Sequence, residues 1–297
     1  METTELIRYR RSLKRKNCSP NTIKSYLNIL DHFIAWLTVP LTEVTKTHVA
    51  AYVDRLLRRR LSPKTITCHL QTIRLFFEYL ADHEGMDIAN PITTVSIKLP
   101  KPLPKNLKST QTEALFAVIT DTRDKAMFML MLRCGLRVEE VARLTLDAID
   151  FKRRQIFVAD GKGQKDRIVY ISDDARSVLE EYLKTHSPKT KVLFLVQKGP
   201  LTGKPISIRG IQKRIEYYAK KSRVKASCHR LRHTMATELL NADADLSTIQ
   251  DLLGHSQITT TQRYCRLSNL KVQRDYYKAI DLVLKRAQSW EDEEMEQ

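Results

Sequence analysis

Long apolar runs, paired cysteines and metal-binding motifs are missing from this sequence of 297 residues. No segment approaches the ~20 apolar residues that span a bilayer, and the first residues lack the apolar core of a secretory signal, so we expect a cytoplasmic protein. The five cysteines are odd in number and form no C-x-x-C pair, which argues against a zinc ribbon or a disulfide framework and fits a reducing compartment. The sequence also lacks a P-loop and an acidic cluster suited to Mg²⁺.

Positive charge is present in excess. The formal net charge is +17 and the isoelectric point is about 9.7. Such an excess most often indicates a polyanionic partner such as nucleic acid, although a solubilising role or an anionic membrane surface also fits the charge alone.

A proline-rich, basic stretch at 98–105 predicts an extended connector, because its three prolines cannot occupy a helix interior. It divides the chain into an N-terminal domain, 1–97, and a C-terminal domain, 106–290, followed by an acidic tail at 291–297. Both domains carry more Lys and Arg than Asp and Glu, so we expect both to contact the polyanion.

The N-terminal domain is predicted to be a helical bundle. Ser19-Pro20 and Ser62-Pro63 each provide an N-cap followed by proline at the first helical position, and apolar residues recur behind both at helical spacing. A third amphipathic helix follows Val49 and runs into Arg58-Arg59-Arg60. A charge run of this kind is usually a solvated helix end, but phosphate contact is the alternative.

The C-terminal domain is predicted to be mainly α with a small β-hairpin. Alternation predicts strands at 155–158 and 167–171, flanking a glycine-bearing turn that contains Lys162. Helices are predicted at about 110–119, 123–134, 138–144, 173–184, 207–221, 229–241, 246–253, 257–265 and 269–288.

His229 and Arg232 lie three residues apart, so on a helix they share a face and can reach one ligand. A zinc site at His229 and His233 is disfavoured, because metalloprotease geometry requires Glu where this chain has Arg230. Taken alone, the segment is more often a basic surface helix with a packed histidine.

Arg137 starts the predicted helix at 138–144, where the helix dipole disfavours a cation. Either a bound anion or Glu140, three residues later, would relieve that cost. Glu140 is therefore an ion-pair partner, a group that orients Arg137, or both.

Three further residues have ordinary explanations when each is considered alone. Lys162 fits a polar hairpin tip, or a loop that delivers an ammonium group to a phosphate. His255 follows the end of an apolar helix, where the dipole favours a partly protonated imidazole. Tyr264 is one of 11 tyrosines and is distinguished only by its neighbours.

The ordered segments GLRVEEVARL, GKGQKDR, CHRLRHTMATEL and LLGHSQITTTQRY resemble the tyrosine recombinase (phage integrase) family. The spacing and the helical N-terminal domain are most similar to compact Xer-type recombinases and transposon resolvases. The family's catalytic positions and its acidic residue fall on Arg137, Glu140, Lys162, His229, Arg232, His255 and Tyr264.

This resemblance implies a site-specific DNA recombinase that needs neither metal nor ATP. Tyr264 would attack a phosphodiester to give a 3′-phosphotyrosyl intermediate, with the phosphate bound by Arg137 and Arg232. Lys162 would protonate the leaving 5′ oxygen, while His229 and His255 would donate hydrogen bonds or help to remove the phenol proton. Two domains would clamp duplex DNA at an inverted-repeat core site.

The resemblance also implies a dimer on each site, a tetramer on two sites and a Holliday junction, with dimer resolution, cointegrate resolution or integration as the task. A second recombinase or an accessory protein is left open as a further partner. The predicted helix at 269–288 would dock into a neighbouring subunit, or pack on its own domain. Two alternatives remain at this point: a type IB topoisomerase, and a catalytically silent architectural DNA-binding protein.

Overall fold

The computed structural model describes residues 4–84, 88–93, 97, 106–159, 166–185 and 190–254. The chain divides into two compact units, Met1–Pro102 and Leu103–Gln297. The predicted connector, the acidic tail and the two predicted helices at 257–265 and 269–288 lie outside the described residues.

Helices make up the regular structure described in the first unit. They are α1 (Thr4–Arg15), α2 (Pro20–Ile34), α3 (Lys46–Arg58) and α4 (Pro63–Glu84), with a single 3-10 turn at Leu41–Glu43. The two predicted caps are confirmed: the Ser19 hydroxyl accepts the Thr22 N–H at 3.1 Å, and the Ser62 hydroxyl accepts the Thr65 N–H at 3.2 Å. Helix α1, which carries the basic residues between Arg8 and Arg15, was not predicted.

Aromatic rings fill the core of the first unit. Phe33, Phe76 and Phe77 are fully buried, and Tyr52 packs edge-on against Phe33 with ring centroids 5.0 Å apart. The Tyr52 hydroxyl forms a 3.1 Å hydrogen bond with Nδ1 of His69, and burial lowers the pKa of that imidazole. A polar pair inside the core is thereby satisfied, as buried polar groups generally are.

The second unit combines helices with a small sheet. Its helices are α5 (Ser109–Ala117), α6 (Thr122–Arg133), α7 (Val138–Arg143), α8 (Asp173–Thr185), α9 (Ile208–Ser222), α10 (Cys228–Asn241) and α11 (Leu246–Leu253). Each agrees with a predicted helix to within about two residues, which is the usual uncertainty of helix ends.

The sheet has three antiparallel strands in the order β1 (Ile149–Asp150), β2 (Gln155–Val158) and β3 (Arg167–Tyr170). The predicted pair β2 and β3 is confirmed, with Ile156 opposite Val169 and both side chains fully buried. Strand β1 was not predicted, because two residues are too short to show an alternation of apolar and polar side chains.

Helix α6 lies at the centre of the second unit and packs against both α8 and α10. It is buried on nearly every side, and Met127, Phe128, Leu130 and Met131 have no exposed surface. Residues 126–132 of this helix are apolar on every side, which suits such a central position.

One carboxylate is fully buried at the start of α6. Asp124 accepts two hydrogen bonds from Arg123, one from Nε of Arg214, and one of 3.1 Å from the Tyr218 hydroxyl. Burial and the charge of Asp124 raise the pKa of the Tyr218 hydroxyl to about 12. This network joins α6 to α9.

None of the helices among the described residues combines the length and apolar character needed to cross a lipid bilayer.

Candidate active site

The turn before α7 presents Arg137. Gly135 has a φ of +67°, a left-handed conformation that glycine adopts without steric cost. A Cβ at Gly135 would also lie 3.2 Å from both Leu253 and Met235, so the backbone passes close to α10 and α11 here. Arg137 then occupies the N-cap of α7, and its N–H donates to Oε2 of Glu140 at 2.7 Å.

The Arg137 guanidinium is held by two acceptors. Its Nη1 donates to Oε1 of Glu140 at 2.8 Å, and its Nη2 donates to the carbonyl oxygen of Gly254 at 2.8 Å. The side chain remains 22% exposed, so the guanidinium is fixed and yet reachable. Glu140 is thus the ion-pair partner that the sequence suggested for Arg137.

Glu140 has a second cationic partner, which was not predicted from the sequence. Arg167, on β3, donates from Nη1 to Oε1 and from Nη2 to Oε2 of this carboxylate, both at 2.8 Å. Burial acts to raise the pKa of the Glu140 carboxyl, but the bonds and charge of Arg167 and the bonds from Arg137 outweigh it and lower the pKa to about 2. The carboxylate is therefore ionised throughout the neutral range.

Arg167 could have been found from the strand pattern. Side chains alternate along a strand, so Arg167 shares a face of β3 with Val169, which is fully buried. An arginine on the inward face of a strand requires an anion or several carbonyl groups inside the fold.

Arg232 lies on α10 and is almost completely buried, with 3% of its surface exposed. Its Nη1 donates to the carbonyl oxygen of Gly135 and its Nη2 to that of Leu253. The glycine turn before Arg137 and the end of α11 are therefore joined by one guanidinium.

The last carbonyl groups of α11 accept hydrogen bonds from three different arginines. The C-terminal end of a helix carries partial negative charge, which favours cations there. The pairs, in order along the chain, are Arg167 Nε with Leu252 O, Arg232 Nη2 with Leu253 O, and Arg137 Nη2 with Gly254 O. Elements from three distant parts of the sequence thus meet at the residues that directly precede His255.

His229 lies one turn before Arg232 on α10 and is exposed. Its ring contacts that of His233 edge to face, with centroids 4.0 Å apart. The neighbouring Cys228 is buried, and burial raises the pKa of its thiol to about 11, so it packs as a neutral side chain. Among the residues that the structure describes, no group of three or more His, Cys, Asp and Glu side chains is arranged to hold a metal ion.

The remaining predicted site residues, Lys162, His255 and Tyr264, lie outside the described residues. The structure therefore brings together Arg137, Glu140 and Arg232, adds Arg167 to them, and places His229 one turn before Arg232 on α10. The roles of Lys162, His255 and Tyr264 stay predictions from the sequence.

Comparison with known proteins identifies the family. Residues 105–270 match the phage integrase family, and residues 6–86 match the phage integrase N-terminal SAM-like domain. The first match alone covers more than half of the chain. The chain belongs to the phage integrase family.

Relatives within this family extend the match over most of the chain. The tyrosine recombinase XerC of Haemophilus influenzae is 35% identical over 285 residues, covering 89% of this chain and 93% of the relative. The crystal structure of XerA recombinase matches at 26% identity with a TM-score of 0.53, covering 93% of this chain and 98% of that one.

The Tn1549 transposon integrase, solved in complex with transposon right end DNA, shares the fold. The match has a TM-score of 0.77 at 20% identity and covers 94% of this chain and 100% of the integrase chain. The predicted fold class is confirmed, and this phage integrase family member is a site-specific recombinase of the tyrosine type.

Proposed function

We propose that this recombinase cleaves and rejoins duplex DNA at an inverted-repeat core site, with Tyr264 as the nucleophile. The phenol oxygen attacks phosphorus, a 3′-phosphotyrosyl bond forms, and the bond to the 5′ oxygen breaks. The phenol proton passes to a base, for which His229 and His255 are the candidates, and Lys162 protonates the leaving 5′ oxygen. The 5′-hydroxyl of a second strand reverses these steps, so the phosphoester energy is retained and neither metal nor ATP is needed.

The observation that best supports this proposal is the common anchoring of two guanidiniums at one helix end. Arg137 and Arg232 donate to the carbonyl groups of consecutive residues, Gly254 and Leu253. Donors that are fixed before the reaction stabilise the charge that develops on the nonbridging phosphate oxygens without reorganising. A guanidinium has five N–H donors, and the two side-chain bonds of Arg137 leave others to bind phosphate.

A nicked suicide duplex tests the chemistry. Wild-type protein should form a covalent adduct on a verified binding site, and Tyr264→Phe should bind the same duplex without forming one, because phenylalanine lacks the attacking oxygen. Adduct formation by Tyr264→Phe, or none by the wild type, would refute Tyr264 as the nucleophile. EDTA and the omission of ATP should leave the wild-type adduct unchanged.

The assembly follows from the same proposal. The XerC relative is a tyrosine recombinase, and the structure of the Tn1549 integrase was solved in complex with transposon right end DNA. Both observations support double-stranded DNA as the partner of this recombinase. We expect two subunits on each core site and four on a pair of sites, with strand exchange through a Holliday junction. We expect the protein to act in the cytoplasm, in association with the nucleoid. Sedimentation of the protein with one-site and two-site duplexes measures these stoichiometries, and a requirement for a second recombinase would appear as an incomplete assembly.

The proposed domains are a DNA-binding unit at 1–97 and a catalytic unit at 106–290, joined by 98–105. The division of the chain at Pro102 supports this boundary. We expect the two domains to close around DNA, and the segment 269–288 to dock into a neighbouring subunit. Deleting 269–297 should abolish assembly on two sites and leave binding to a single half-site intact.

A further inference from the structure

Arg167 combines three contacts that link a strand, a helix start and a helix end. All three of its side-chain nitrogens are occupied: Nη1 and Nη2 each donate to one oxygen of Glu140, and Nε donates to the Leu252 carbonyl, each at 2.8 Å. Only 7% of the side chain is exposed. A planar fork that satisfies both carboxylate oxygens fixes the direction of the carboxylate as well as its position.

The carboxylate that Arg167 fixes is the one that holds Arg137. Glu140 accepts one hydrogen bond of 2.7 Å from the backbone N–H of Arg137 and one of 2.8 Å from its Nη1. If Arg167 were removed, Glu140 would keep only Arg137 as its charged partner and could rotate with it. The direction of the Arg137 guanidinium therefore depends on Arg167 through the carboxylate that the two arginines share.

The second acceptor of Arg137 is tied to Arg167 as well. Arg137 donates to the Gly254 carbonyl. Arg167 donates to the Leu252 carbonyl, two residues earlier at the same end of α11. A Cβ added at Gly254 would lie 3.0 Å from Cδ of Arg167, so the Arg167 side chain lies close beside this residue. Arg167 thus binds Glu140 and lies beside Gly254, the two residues that anchor Arg137.

Charge adds a separate reason for a second arginine. A lone Arg137–Glu140 pair is neutral and would attract a phosphate weakly. With Arg167 sharing the carboxylate, two cations face one anion, and the group keeps one net positive charge near the proposed phosphate site. The ordinary alternative is a purely structural ion pair, which would affect folding and leave the reaction rate of folded protein unchanged.

We propose that Arg167 is a positioning residue for strand cleavage: by holding Glu140 and the end of α11, it directs Arg137 at the scissile phosphate. This rests on the proposed function, in which Arg137 binds that phosphate. Arg167 itself contacts no reacting atom in this scheme, so it acts through Glu140 and should be energetically coupled to it.

The test measures single-turnover adduct formation on the nicked suicide duplex at saturating protein, together with the DNA dissociation constant and the thermal midpoint. Arg167→Gln should slow adduct formation by about 10- to 100-fold, because a small misplacement of a catalytic group can cost about 100-fold in rate. Its dissociation constant should stay within about threefold of wild type, since a loss of orientation affects the transition state more than ground-state binding.

Coupling to Glu140 separates positioning from simple structural support. The double variant Arg167→Gln with Glu140→Gln should react within about threefold of the slower single variant, because residues that act as a unit are not additive. Multiplied losses would overturn the proposal. Arg176→Gln is the matched control, since Arg176 pairs with the exposed Glu180 on α8, and it should react like wild type.

Arg167→Lys provides a second variant in case Arg167→Gln does not fold. Lysine keeps the charge but is a single point donor, so it should recover part of the rate and fall short of wild type. A wild-type rate in Arg167→Lys, or in folded Arg167→Gln, would overturn this inference alone. Absence of an adduct from wild type would instead overturn the proposed function.

Discussion

Nη2 of Arg137 donates a hydrogen bond of 2.8 Å to the carbonyl oxygen of Gly254, across 117 residues of sequence. The bond joins the N-cap of α7 to the C-cap of α11. Gly254 immediately precedes His255, so the backbone that leads to one proposed catalytic residue also orients another. Changes at this helix end should therefore alter the reaction as well as the stability of the fold.

Gly254→Ala tests this relationship. Gly254 has a φ of +57°, and an added Cβ would meet Cδ of Arg167 at 3.0 Å. The left-handed conformation should cost about 1–2 kcal/mol of unfolding free energy. Displacement of Arg167 and of the Gly254 carbonyl should slow adduct formation by about 10- to 100-fold, as small misplacements of catalytic groups do.

Gly203→Ala is the matched control for backbone strain. Gly203 also has a positive φ, +80°, but no atom lies within 4 Å of an added Cβ. It should lose a similar unfolding free energy in urea denaturation and keep the wild-type rate of adduct formation. Equal rates for the two variants would contradict a special role for the end of α11.

Acid should weaken the fold through Glu140. Its pKa is lowered from 4.5 to about 2 in the folded protein, so the stabilisation is complete above the unfolded value and is lost as the pH falls from 4.5 towards 2. We expect Glu140→Gln to be less stable than wild type by about 3 kcal/mol at pH 7. This difference should shrink steadily below pH 4.5.

Urea unfolding of both proteins between pH 3 and 7 measures this difference. Glu180→Gln, which removes the carboxylate of the exposed Arg176–Glu180 pair, serves as the control and should change stability by less than about 1 kcal/mol. A wild-type advantage that stayed constant down to pH 3 would show that the charge of Glu140 does not contribute as described.

Arg232→Ala should affect both rate and stability. Arg232 bonds to the carbonyl groups of the buried residues Gly135 and Leu253, which would lose these partners, at a cost of about 1–3 kcal/mol each. Loss of a preorganised donor should slow adduct formation by at least about 10²-fold. Arg209→Ala removes an exposed cation on α9 and should match wild type in both measurements. An Arg232→Ala rate near wild type would remove this residue from the proposed phosphate site.

Asp124→Ala should lower the stability of the fold without slowing the reaction. Asp124 is fully buried and balances Arg123, which is 6% exposed, so its removal leaves a buried cation unpaired. We expect a loss of about 3–5 kcal/mol in unfolding free energy, while the adduct rate per folded molecule stays unchanged. Asp173→Ala breaks the exposed pair with Arg154 and should cost less than about 1 kcal/mol. A slower reaction in folded Asp124→Ala would place this network within the catalytic machinery.

Much of the fold could be predicted because its signals are local. Capping by Ser19 and Ser62 depends on residues three positions apart, and helical or strand periodicity is visible within a dozen residues. The two-residue strand β1 could not be predicted, since its pairing with β2 supplies the only information that defines it.

The candidate site likewise has features that the sequence predicts and features that only the tertiary structure shows. Sequence by itself determined the fold class, the chemistry-bearing residue types and their order, and it placed Glu140 within reach of Arg137, because residues three apart on a helix are neighbours. Only the tertiary structure decided that Arg167, from a strand, shares that carboxylate, and that three arginines meet the last carbonyls of α11. The reason is physical: periodicity shows which face of an element is buried, but the partners that meet there, up to 117 residues apart in the chain, depend on how the elements pack.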